Sequence, residues 1–289
     1  MRGSASQRSA RGRTSSGCLG RGGGRLLIAL VIAAIAVISY FGARSQNPVT
    51  GEMQHVSLSP EQEIALGLQS APEMAAQYGG LHPDTKAQAL VDRVGERLVA
   101  SGPASDSEYR FEFHLLADPR TVNAFALPGG QVFVTAALYE RLGTEGELAG
   151  VLGHEIGHVI ERHGAQHLAK QQLTTGLVGA VGMAATDPNS PVSAAQAAAI
   201  AAAVGQLVNM KYGRDDELQS DTWGVRLMAD AGYDPRSLIQ VMKILAEASE
   251  GQAPPEFFST HPNSGNRIEQ IQSAIDELYP NGVPDGLVP

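Results

Sequence analysis

Residues 154–158 read His-Glu-Ile-Gly-His, and this pentapeptide constrains the fold more than any other stretch of the chain. On an α-helix, residues four apart share one face, about one turn apart. His154 and His158 can therefore bind one metal ion from the same side, while Glu155 reaches a water at that ion without being a ligand. Two histidines, a third protein ligand and an open position make a hydrolytic zinc site, where the metal brings the pKa of bound water to about 7. The fold must present this helix to a second element that supplies the missing ligand.

The helix is specified locally. Thr144 and Glu147 form a T-x-x-E capping box ahead of the apolar run Leu148, Val151, Leu152 and Ile156. Gly150, Gly153 and Gly157 each cost roughly 1 kcal/mol against Ala, so packing has to hold the helix. Such small residues let another backbone or a substrate come close. A plain buried helix with merely satisfied core histidines would leave Glu155 unexplained.

A metzincin continuation would need Gly at 161 and His at 164, whereas the chain has Glu161 and Gly164. Five residues beyond His158, His163 falls well off the metal-facing side, and with His167 it is expected on a solvated or interfacial face. Glu217 is the better third ligand. Asp221 lies four residues on, placed to accept a hydrogen bond from the far nitrogen of a ligand histidine. Asp215 and Asp216 fit a solvated first turn.

Together these motifs resemble the gluzincin metallopeptidases, and within them the family of the CAAX prenyl endopeptidase, HtpX, OMA and the periplasmic BepA and LoiP proteases. Residues 123–130 (Asn-Ala-Phe-Ala-Leu-Pro-Gly-Gly), Glu217 to Asp221 with 231–235 (Ala-Gly-Tyr-Asp-Pro), and Thr260-His261-Pro262 with Arg267-Ile268 follow in the family's order. The likeness covers roughly residues 58–278. Ser220 stands where the family usually has Ala. The resemblance implies an α+β, mostly helical zinc peptidase domain with a small sheet. It also implies that the strand at 130–134 is an open sheet edge, that Asn123 and the backbone at Ala124 hold an extended substrate, and that His261 either supports the oxyanion or closes the site over zinc.

The N-terminus carries Arg2, Arg8, Arg11, Arg13, Arg21 and Arg25 without an acid, a composition expected to be disordered through residue 25. Residues 26–43 are almost wholly apolar and, as a helix, approach the ~30 Å hydrocarbon thickness. The arginine asymmetry places the N-terminus in the cytoplasm and the catalytic domain outside a bacterial inner membrane. A cleaved signal and a soluble periplasmic enzyme are the alternative, although Phe41 is large for a cleavage motif. The sole cysteine, Cys18, precedes the apolar run, so zinc must rest on histidine and carboxylate.

Setting aside those six arginines leaves 15 basic against 30 acidic residues, which argues against nucleic-acid partners. The remaining organisation is a linker at 44–57, a peptidase domain at 58–280 and a tail at 281–289. Helices are expected near 60–78, 84–100, 145–170, 235–249 and 266–278, with strands around 109–134. Residues 173–207 suggest an Ala/Gly-rich helical hairpin over the active site, or a membrane-dipping lid. By the resemblance to the periplasmic members, the expected function is hydrolysis of unfolded or misassembled envelope proteins with one zinc per chain. A narrow processing peptidase and a chaperone-like binder with a latent site are the alternatives.

Overall fold

The computed structural model describes residues 22–185, 211–249, 255–263 and 265–289. The expectations for residues 1–21 and for 186–207 lie outside the described residues. In chain order the elements are α1 (Gly22–Gly42), β1 (Arg44–Gln46), β2 (Met53–His55), α2 (Pro60–Gln77), α3 (Thr85–Ser101), β3 (Glu112–Leu116), β4 (Ala124–Leu127), β5 (Gln131–Thr135), the single turn α4 (Ala136–Tyr139), α5 (Glu145–Ile160), α6 (His163–Ala185), α7 (Arg214–Asp230), α8 (Arg236–Glu247), the short α9 (Glu256–Thr260) and α10 (Arg267–Leu278). This is the mostly helical α+β domain that the resemblance implied.

The sheet runs β3-β5-β4, with β3 parallel and β4 antiparallel to β5. Here one expectation is corrected. The strand at 130–134 is not an edge: β5 is central, and every one of its residues is buried. Its all-apolar centre, Val132-Phe133-Val134, is what a strand covered on both faces requires. The edge beside the metal helix is β4, which pairs only with β5.

One face of the sheet packs Phe125 and Phe133 against Met74 of α2 and Tyr78 just past its end. On the other side Val132 and Val134 join α3, α5, α7, α8 and α10 in the main core. At its centre lies α5, buried from Leu148 to Ile160. The Thr144 hydroxyl accepts from the Glu147 amide at 3.1 Å as the N-cap signal implied, while the Glu147 carboxylate accepts from the Gly143 amide rather than from Thr144, so the box closes one residue early.

The expected single helix over 145–170 breaks. Arg162 adopts φ 56°, a left-handed conformation that costs a non-glycine residue on the order of 1 kcal/mol or more. Its guanidinium is held by Glu63 of α2 and by the Leu58 carbonyl, so contacts distant in sequence sustain the turn. A second feature stabilises the same end of α5. Residues 44–57 carry the β1–β2 hairpin, from which Asn47 donates to the Ile160 carbonyl at 2.7 Å and Gln54 to the Glu161 carbonyl at 3.0 Å. These satisfy carbonyls that the end of a helix leaves unpaired.

No helix among the described residues is long and apolar enough to cross a membrane. Helix α1 nevertheless exposes Leu26, Leu27, Leu30, Ile35, Ile38 and Phe41, and it packs on α6, where Ala36 meets Gly176.

Candidate metal centre

Two helices have to approach closely for the metal site to assemble, and glycine makes that possible. A Cβ on Gly157 of α5 would lie 2.9 Å from Trp223 Cβ and 3.0 Å from Ser220 Cα of α7. One on Gly153 would stand 3.3 Å from Gly224 Cα. We expect Gly157→Ala to force α7 outward, to cost about 1–3 kcal/mol, and to lower zinc retention, as checked by melting and metal analysis of the full chain.

The approach brings Glu217 and Asp221 opposite His154 and His158. His261, just past α9, closes the group from a third direction. All of these, with Glu155, are buried, none more than 2% exposed. One potential ligand atom each from His154, His158, Glu217 and His261 lies within 4.8 Å of all the others. The two Nε2 atoms of His154 and His158 are 3.1 Å apart. His154 Nε2 is 3.4 Å from His261 Nδ1, which is 3.1 Å from Glu217 Oε1, and His158 Nε2 is 3.5 Å from that same oxygen. Donors about 2.0–2.1 Å from a tetrahedral zinc stand roughly 3.3 Å from one another. The residues therefore fit one zinc ion.

Proton positions agree. His154 Nδ1 lies 2.9 Å from Asp221 Oδ1, so it carries the hydrogen and leaves Nε2 as a bare lone pair. Burial alone would raise the Asp221 pKa. The Arg267 guanidinium, with hydrogen bonds from Arg267 and His154, outweighs burial and holds it below the ordinary carboxylate value. Burial pulls the His158 imidazole well down, which keeps it neutral. For Glu217, the charge of His261 and bonds from His158 and His261 overcome burial and hold the carboxylate well below its usual pKa. Glu155 behaves oppositely: burial raises its pKa against the pull of His261 and His154. Both of its oxygens lack a hydrogen-bond partner among the described residues, although Oε1 is 3.6 Å from His261 Nε2. A desolvated, unpartnered carboxylate beside a metal pocket is suited to receive a proton.

Asn123 is buried at the start of β4. Its Nδ2 donates to the Tyr78 hydroxyl at 3.2 Å, and its Oδ1 has no partner among the described residues. A narrow cleft lined by Ala126, Leu127, Pro128, His158 and Tyr212 separates the β4 edge from the metal helix. Ala124 thus sits on the strand facing this cleft, apart from the ligand cluster.

Two residues escaped the sequence reading. His163, expected off the metal side, is fully buried with Nδ1 2.9 Å from His158 Nδ1. The turn at Arg162 resets the helical phase on which that expectation rested. His167 is partly exposed and bonds Asp216 at 2.7 Å, which matches an interfacial position. Arg267, seen before only as part of a motif, is buried against both acids. Its Nε and Nη2 reach Asp221 at 2.8 and 2.6 Å, and Nη1 is 2.8 Å from Glu217 Oε2, in ion-pair range without hydrogen-bond alignment. The available signal was physical: two carboxylates facing one buried site call for a cation.

Such a centre, with its HExxH helix and its glutamate from a second helix, defines a metallopeptidase of the zinc-dependent kind. The chain belongs to peptidase family M48, whose model matches residues 85–275. It is 28% identical to the beta-barrel assembly-enhancing protease of Escherichia coli (strain K12) over 88% of this chain and 53% of the relative. The Yersinia pestis protein of that name is 29% identical, over 83% of this chain and 49% of its own length. The mitochondrial metalloendopeptidase OMA1 of Schizosaccharomyces pombe is 30% identical over 83% of this chain and 69% of its own. The chain spans about half the length of the two bacterial relatives.

Proposed function

We propose that this chain is a zinc endopeptidase that hydrolyses extended, unfolded or misassembled polypeptide in a bacterial envelope. The observation that carries the reading is the buried convergence of His154, His158 and Glu217 beside the unpartnered carboxylate of Glu155. Bound zinc would polarise the scissile carbonyl and acidify the attacking water. Glu155 takes the proton of that water and returns it to the leaving amine. Asp221 and Arg267 keep His154 oriented. The substrate main chain pairs along the β4 edge, and Asn123 Oδ1 is free to accept one of its amides. Main-chain pairing selects extended chains rather than a sequence, which favours substrates that have lost or not yet reached their fold. The names of the bacterial relatives favour clients in outer-membrane assembly. Attachment to the inner membrane with the peptidase domain on the periplasmic side rests on the arginine asymmetry of the N-terminus and the exposed apolar face of α1, not on a spanning helix.

The site is drawn closed. His261 stands within reach of the fourth metal position and stacks on Phe257, with ring centroids 4.4 Å apart. The Tyr212 amide, hydrogen-bonded to the Thr260 carbonyl at 3.0 Å, ties this loop to the approach of α7. We assign His261 to closure of the site, so His261→Ala should raise cleavage of unfolded casein. A loss of turnover would place it with the oxyanion instead, and no change would remove both roles. The function itself is tested by incubating the full chain with casein. Cleavage should stop on chelation and return with added zinc; absence of cleavage in both the zinc-loaded wild-type chain and the zinc-loaded His261→Ala protein would contradict it.

A further inference from the structure

The backbone at Arg162 turns so that α6 begins directly beneath His158, and its first residue, His163, faces that ligand rather than solvent. Resting on the zinc reading above, we infer that His163 is a positioning residue. It holds His158 in the tautomer whose Nε2 lone pair points at the metal, through a hydrogen-bonded relay ending on Gln219.

The proton count along the relay gives the argument. His163 Nε2 lies 3.0 Å from Gln219 Oε1 and 3.8 Å from Asp216 Oδ1. The Gln219 oxygen, the acceptor within hydrogen-bond range on that side, fixes the hydrogen on Nε2, and the more distant Asp216 charge favours it there. A neutral imidazole protonated there has its lone pair on Nδ1, so His163 can only accept on its other side. The group 2.9 Å from that lone pair is His158 Nδ1, which must therefore donate. His158 Nε2 is then bare and faces His154 Nε2. In the opposite tautomer, a hydrogen on His158 Nε2 would occupy the space between the two ligands. The Ser220 hydroxyl, 3.5 Å from His163 Nδ1, is too distant to add much.

The two ligand histidines are thus oriented by different chemistry. His154 donates to a carboxylate and His158 to a neutral imidazole. The relay also joins three helices, since His158 lies on α5, His163 on α6 and Gln219 on α7. Partners of this kind typically change metal affinity by 10–100-fold.

The test measures zinc affinity by chelator competition in the full chain, with apo-protein melting alongside. His163→Leu removes the acceptor, whereas His163→Asn can place an amide oxygen near the lost Nδ1. We expect His163→Leu to weaken zinc by about 10–100-fold and His163→Asn to recover most of that loss. Equal affinity of wild type and His163→Leu would overturn the inference, as would equal losses in both folded variants. If neither folds, Gln219→Leu decides: weaker zinc supports the relay, and unchanged zinc rejects it. A wild-type chain that binds no zinc would reject the site itself and the inference with it.

Discussion

Replacing Glu155 by Gln leaves zinc bound and lowers peptide hydrolysis by about 10²–10⁴-fold, the range over which general acid–base catalysis acts. The substitution conserves shape, and among the described residues Glu155 makes no hydrogen bond whose loss would disturb its neighbours. It lies outside the four-residue ligand cluster, so metal content should not change. What disappears is the capacity to hold a proton. Burial raises the Glu155 pKa, which makes its carboxylate a stronger base than an exposed glutamate, and an amide cannot replace that. Casein cleavage and metal analysis on the same preparations check the result. Retention of activity within tenfold of wild type would move the base elsewhere.

Arg267→Ala has the largest expected effect on stability. The guanidinium is 1% exposed and serves two carboxylates from α7 at once. Its removal leaves Asp221 and Glu217 buried without their cation, a class of change that costs about 3–5 kcal/mol. For a domain of this size the melting temperature should fall by about 10 °C. Lysine should rescue poorly, because a point charge cannot span both oxygens of Asp221 as the planar fork does. Thermal melting of the metal-free chain isolates the effect from zinc binding. A shift below about 2 °C would mean that the acids find compensation elsewhere.

Much of this centre was legible in the sequence because its signals are short-range. The N-cap at Thr144, the four-residue spacings 154–158 and 217–221, and the Gly-rich face of α5 each follow from the geometry of a single helix. What stayed hidden depends on contacts between elements. His163 was placed by extending the phase of α5 through Glu161 and Arg162. The left-handed Arg162 breaks that phase, and it is held by Glu63 from nearly a hundred residues away, a pairing no local pattern encodes. The sheet edge was misassigned for a related reason: β4 and β5 are both short and apolar, and only pairing with β3 makes β5 central. The β1–β2 hairpin at 44–55 reads as a polar linker. Its worth lies in Asn47 and Gln54, which reach carbonyls at the far end of α5.

Zinc stoichiometry across ligand variants tests the central claim most directly. The full-length wild-type chain should hold one zinc, and His154→Ala, His158→Ala and Glu217→Ala should each lose it while Glu155→Gln keeps it. A wild-type chain without zinc, or a Glu217→Ala chain that binds it as tightly as wild type, would contradict the site described above.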